Sequence, residues 1–144
     1  MHTSSRLTTS VDRAPAAGEI AQIRAGLTAY NDAQAGSPAT VELFAVYLRD
    51  AHDVIHGGLV GFLAWQWLSI EWLWVEASQR GLGYGSELLH RAETLAREAG
   101  CVGVKLDTYE FQARPFYEKK GYVVFGILEG YPAGTRTYYM RKSL

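Results

Sequence analysis

Cysteine is nearly absent from this chain of 144 residues: Cys101 carries its one thiol. An internal disulfide cannot form, a secreted disulfide scaffold is excluded, and a reducing, cytoplasmic setting becomes the expectation, with Cys101 itself in the core. An excess of either charge is also missing. Lys and Arg number 14 against 15 Asp and Glu, a formal charge of -1, so no global field gathers nucleic acid or an anionic membrane, and any polyanion must be held by a local site. No charged segment followed by an apolar one opens the sequence, which argues against a signal peptide. A spanning hydrophobic run is lacking as well. The most apolar stretch, Leu59 to Val75, contains Gln66, Ser69 and Glu71 and falls short of the roughly 20 residues a membrane helix needs.

What is present is ordinary globular material, 48% hydrophobic and 20% charged. A chain this long makes one domain and buries about 68–70% of its unfolded surface. Residues 1–14 read as a loose tail with a short strand near Leu7 to Val11. From Pro15 to about Ala35, Ile20, Ile23, Leu27 and Tyr30 fall three and four apart as one helical face, stopped at Gly36. Strands follow over Val41–Arg49, Val54–Trp65 and Leu68–Val75, the last two turning near Gln66. All four tryptophans, Trp65, Trp67, Trp72 and Trp74, lie between Leu59 and Val75. Core packing is their commoner use and an aromatic acceptor pocket the alternative.

Leu88, Leu89, Ala92, Leu95, Ala96 and Ala99 form the stripe of the clearest helix, with the pairs Glu87/Arg91 and Glu93/Arg97 outside it and Gly100 at its end. Val102, Val104 and Leu106 alternate as a strand. Gln112 to Lys120 fits a short helix, and Tyr122–Leu128 and Arg136–Arg141 are the last strands, joined by a loop holding Tyr131, Pro132 and Gly134. The order implies an α/β or α+β sheet with at least one parallel crossover around the Ser86–Ala99 helix.

The strongest local signal is Gln79-Arg80-Gly81-Leu82-Gly83-Tyr84-Gly85-Ser86, between a hydrophobic strand and a good helix. Alternating glycines let backbone approach a ligand, and a helix N-terminus offers free N–H groups with partial positive charge, a combination that suits phosphate. A tight turn that binds nothing is the bland reading. No Gly-Lys-Ser/Thr follows, so a Walker A loop is excluded, and Ser86 occupies the third-glycine place of a dinucleotide fingerprint.

Arg80-x-x-Gly83-x-Gly85, directly after Leu73-Trp74-Val75, resembles the pyrophosphate loop of the GNAT acyltransferases. Downstream, Ala113-Arg114-Pro115-Phe116-Tyr117-Glu118-Lys119-Lys120-Gly121-Tyr122 resembles the family's Ala-x-x-Phe-Tyr-x-x-x-Gly-Phe/Tyr segment. Two motifs in order are more specific than one, and the likeness covers about residues 40–142. It implies one domain over 1–144, a mixed, mostly antiparallel twisted sheet of six to seven strands flanked by about four helices. It also implies an acetyl-coenzyme A enzyme acting on an amine. Backbone N–H groups of Arg80, Gly81, Leu82, Gly83, Tyr84, Gly85 and Ser86 would hold the pyrophosphate, with charge added by the Arg80 side chain. Main-chain groups of Trp74 and Val75 would pair with the pantetheine arm, an N–H there serving as oxyanion donor. Tyr117 corresponds to the family tyrosine that protonates the departing thiolate, unless it is simply a packed aromatic.

An amine acceptor is mostly protonated at neutral pH, so a carboxylate or an ordered water must take a proton before attack. Glu71 is the best candidate, mid-strand among apolar residues where burial would raise its pKa, with an ion pair at a sheet edge as the alternative. Glu76, Glu110 and Asp107 are weaker. Two departures stand out: Ala77 where the family often has proline, and Glu110 where it often has asparagine. His52 and His56 lack metal-like spacing with His2 and His90, so no metal is expected. Cys101 has no neighbouring base and is no nucleophile. Membrane and nucleic acid are not expected partners, and a homodimer is left open. A non-catalytic acyl-coenzyme A sensor on the same fold is the rival reading.

Overall fold

The computed structural model describes residues 7–144, which cluster into two compact units, one up to Ala39 and the other from Thr40 to Leu144. The first unit is helix α1 (Ala17–Ala35), ended by Gly36 in the left-handed region. It starts two residues after Pro15, and the Ala16 N–H donates to Glu19 Oε2 at 3.1 Å, satisfying one of the free donors of a helix start. The apolar positions expected to form a buried face bury none of their residues. Residues 7–11 form no strand, against expectation; residues 1–6 lie outside the described residues.

The second unit is a six-stranded sheet: β1 (Glu42–Arg49), β2 (Ile55–Ala64), β3 (Trp67–Val75), β4 (Gly103–Tyr109), β5 (Val123–Glu129) and β6 (Arg136–Ser143). With it go helices α2 (Tyr84–Glu98) and α3 (Arg114–Lys119) and a short 3-10 turn over Ala77–Gln79. Strand order is β1-β2-β3-β4-β6-β5. Every pairing is antiparallel except β3 with β4, the crossover that carries α2. The β2–β3 turn uses Trp65 and Gln66, both at positive φ, the backbone of a two-residue hairpin whose twist matches its strands.

Leu88, Leu89, Ala92 and Ala96 of α2 are buried with Leu59 and Leu63 of β2, Leu68 and Ile70 of β3, Val104 and Leu106 of β4, and Met140 of β6. Each fully buried leucine is worth about 1.5–3 kcal/mol, so this helix-on-sheet layer is the main stabilising contact of the unit. Cys101, expected in the core, is only partly buried at its margin.

The alternation along β3 breaks once. Val60 pairs with Trp72 but Gly61 pairs with Ile70, so Glu71 is the extra residue of a β-bulge. Gly61 is required there, because a Cβ would sit 2.6 Å from the Ser69 carbonyl oxygen. The inserted residue moves Leu73 and Val75, rather than Trp72 and Trp74, onto the face shared with Leu59. The expected tryptophan core is therefore absent. Trp65, Trp72 and Trp74 are exposed and Trp67 is only partly buried.

The α2 face also differs from expectation. Glu93, placed outside the stripe, is 4% exposed. Its carboxylate accepts from the Tyr122 hydroxyl at 2.9 Å and from Lys142 Nζ at 2.9 and 3.0 Å, joining α2 to β6. Lys142→Met leaves that buried charge without its ammonium partner, and the expected loss in urea denaturation is about 2–3 kcal/mol. Removing both groups with Glu93→Leu and Lys142→Met recovers most of it.

Candidate active site

Strands β3 and β4 pair only at Trp67–Gly103, Leu68–Val104 and Ser69–Lys105. Beyond these residues they part, immediately before the bulge. From Ile70 to Val75 the β4-facing edge of β3 therefore has no strand partner, although buried backbone N–H and C=O groups demand partners. The space between the strands is a cavity of about 720 Å³ lined on one side by Ile70–Val75 and on the other by Leu106, Asp107, Thr108, Phe111, Gln112, Ala113 and Tyr117. Unpaired strand edge facing such a space can pair with an extended ligand carrying amides, as an added strand would.

A second cavity of about 440 Å³ shares Leu73, Val75, Arg80 and Ala113 with the first, so the two are continuous. It is lined by Gln79, Gly81, Gly83, Tyr84, Gly85 and Ser86. Gly81 and Gly83 have φ of 76° and 88°, the left-handed region that lets the turn present backbone to the cavity. Gly83 caps α2 with no side-chain hydrogen bond. The first N–H groups of α2 thus lack both intrahelical and side-chain partners, and they add to the positive end of a 15-residue helix. This is a ready anion site. Of the residues expected there, Leu82 does not line the cavity and is exposed. Arg80 reaches both cavities, and its Nε donates to the Val75 carbonyl at 2.9 Å, tying the turn to the end of β3. Trp74 and Val75 line the first cavity as the strand edge.

Tyr117 on α3 is 6% exposed and its ring meets Phe116 at 5.1 Å and Tyr122 at 5.6 Å. It also lines the first cavity. Burial, helped by the negative charge of Asp107, pushes its phenol up to about 12, so the hydroxyl stays protonated throughout the neutral range. The turn that positions α3 is closed by Gln112, whose Oε1 accepts from the Tyr109 N–H at 2.8 Å and the Thr108 hydroxyl at 3.3 Å.

Glu71 lines the same cavity, but the burial expected of it is not found. At the bulge its side chain is exposed. Asp107 lies within β4 rather than after it, and it too lines the cavity. The other two carboxylates are committed elsewhere. Glu110 accepts from the Thr135 hydroxyl at 3.1 Å and the Tyr138 hydroxyl at 3.4 Å, pinning the β5–β6 loop. Glu76 holds His56 Nδ1 at 2.6 Å, while His56 Nε2 lies 3.0 Å from Asp50. His56, read as bland, therefore clamps the β1–β2 turn to the segment leading into the glycine turn. Sequence reasoning passed over Phe111 and ranked Asp107 low, although continuing the Val104, Leu106 alternation to Thr108 puts Asp107 on the opposite, unburied face.

The chain matches the family model described as the acetyltransferase (GNAT) family over residues 18–122. It is 42% identical over 105 residues to blasticidin-S acetyltransferase of Streptomyces morookaense, covering 72% of this chain and 77% of that protein. The structure of an acetyltransferase from Bacillus cereus superposes with a TM-score of 0.84 at 32% identity, covering 94% of this chain and 98% of that one. A Bacillus anthracis structure, assigned as a streptothricin acetyltransferase and solved in complex with acetyl coenzyme A, has a TM-score of 0.58 at 28% identity, covering 65% and 59% of the two chains.

The His56 clamp makes stability pH-dependent. Hydrogen bonds donated to Glu76 first and Asp50 second hold the imidazolium above its ordinary pKa. The native state then keeps the proton more tightly than the unfolded one, so the clamp's contribution is complete below the usual imidazole range and is lost as pH rises through the raised value. His56→Gln should accordingly lower Tm more at about pH 5.5 than at about pH 9 in thermal melts.

Proposed function

Because the chain belongs to the GNAT family of acetyltransferases, we propose that it is an N-acetyltransferase carrying the acetyl group of acetyl-coenzyme A directly to a primary amine in a ternary complex. The observation that carries this reading is the continuous groove in which an unpaired edge of β3 leads from the uncapped N-terminus of α2 to two carboxylates and a tyrosine hydroxyl. We further take residues 1–144 as one such domain, since the family model runs across both units. Among the described residues no helix is long and apolar enough to cross a membrane, and a cytoplasmic location remains part of the proposal.

The pyrophosphate sits on the N–H groups of the Arg80–Ser86 turn, where the helix end supplies partial positive charge and Arg80 adds a full one. The pantetheine amides pair with the β3 edge at Trp74 and Val75. Glu71, directly or through a water, takes a proton from the ammonium form of the acceptor, and the free amine attacks the thioester carbonyl. The Val75 N–H stabilises the oxyanion that forms. The C–S bond then breaks, sulfur takes the Tyr117 proton, and the proton that the nitrogen loses as it becomes an amide returns, through solvent, to the phenolate. A buried phenol still protonated well above neutrality supports this role for Tyr117.

Tyr117→Phe removes one oxygen from a packed ring, so the fold is expected to persist. Turnover, followed as free thiol released from acetyl-coenzyme A with a panel of primary amines, should fall about 100-fold or more, with acetyl-coenzyme A binding retained in calorimetry. Unchanged turnover removes Tyr117 from the mechanism. Binding without thiol release on any amine identifies a sensor instead of an enzyme.

A further inference from the structure

Charge is distributed unevenly along the groove. Among the described residues Glu71 and Asp107 have neither an ion-pair nor a hydrogen-bond partner, whereas Glu76 and Glu110, at the ends of β3 and beyond β4, are both engaged. The one cationic side chain lining this cavity is Arg80, which reaches toward the glycine turn. Apart from Arg80, the cavity lining therefore presents two negative charges and no positive one. One carboxylate suffices for the amine that reacts. The second is left without a partner once a ligand displaces water, which is costly unless the ligand brings a second positive charge.

The same cavity is walled by aromatic rings held open to solvent. Trp72 is 70% exposed and Phe111 68%, and both line the cavity. Phe111 is backed by Tyr109 at 5.4 Å between ring centres, and Tyr109 by Tyr131 at 6.0 Å. A ring braced in this way is a fixed platform. Aromatic faces beside unpaired carboxylates attract flat, delocalised cations, which stack on the ring while their N–H groups meet the carboxylate.

We infer that the acceptor is a small dication: besides the amine to be acetylated it carries a flat second cation, a guanidinium or amidinium, bound by Asp107 and stacked on the Trp72 and Phe111 rings. This rests on the acetyltransferase reading above and goes beyond it, because the family motifs say nothing of the acceptor. Acceptors whose remainder is neutral or anionic gain nothing from Asp107 or are repelled by it.

The test compares three primary amines of similar reach: agmatine, with a guanidinium, cadaverine, with a second ammonium, and pentylamine, with no second charge. Thiol release from acetyl-coenzyme A gives kcat/KM for each. The order expected is agmatine, then cadaverine, then pentylamine, with agmatine ahead of pentylamine on the order of tenfold or more. Asp107→Asn should bring that ratio toward one, and Trp72→Ala should shrink the advantage of agmatine over cadaverine. Calorimetric binding of coenzyme A verifies that each variant is folded. Equal kcat/KM for agmatine and pentylamine, or a ratio that survives Asp107→Asn, overturns the dication proposal and leaves the acetyltransferase standing. Coenzyme A binding with no thiol release from any of the three, or from a wider amine panel, overturns both.

Discussion

A strand whose neighbour turns away must satisfy its backbone some other way, and the C-terminal unit is arranged around that requirement. β3 and β4 share three pairs and then separate. The bulge at Glu71 falls just past the last of them, where the added residue bends β3 and increases its twist. Beyond β4, Tyr117 of α3 and Ala113 just before it line the cavity wall. The β3 side is held in place by α2, which packs against β1, β2 and β3. The opening is thus a supported feature of the sheet.

The bulge also reconciles two demands on one strand. With uninterrupted alternation, Leu68 and Ile70 would be followed on the core face by Trp72 and Trp74. One inserted residue gives the core Leu73 and Val75 and turns both indoles outward. The bulge residue itself, Glu71, stands exposed at the cavity. Core packing, the aromatic wall and the placement of an acid all follow from a single extra residue.

The glycine turn and the Phe-Tyr segment were legible in the sequence because their chemistry is local: positive-φ glycines before a helix and a helix ending at Gly121 announce themselves within ten residues. The succession of strands along the chain and the α2 stripe were legible through period 2 and period 3.6. The bulge was not, since Ser69-Ile70-Glu71-Trp72 carries no mark of an inserted residue, and the one hint, Gly61, lies on the partner strand. The tryptophans and Glu71 were therefore assigned the wrong environments. Glu93 escaped for a related reason. Four residues past Leu89 it stands on the apolar stripe, but its partners Tyr122 and Lys142 come from far along the chain.

The uncapped start of α2 couples occupancy to persistence. That helix supplies four residues to the core, Leu88, Leu89, Ala92 and Ala96, yet its first N–H groups have no partner among the described residues. An anion seated there completes the hydrogen bonding of the element on which the core depends, and because only the native state offers this seat, stability rises with the logarithm of ligand concentration. By the same linkage, an anion bound at this seat would lower the population of molecules opened at α2.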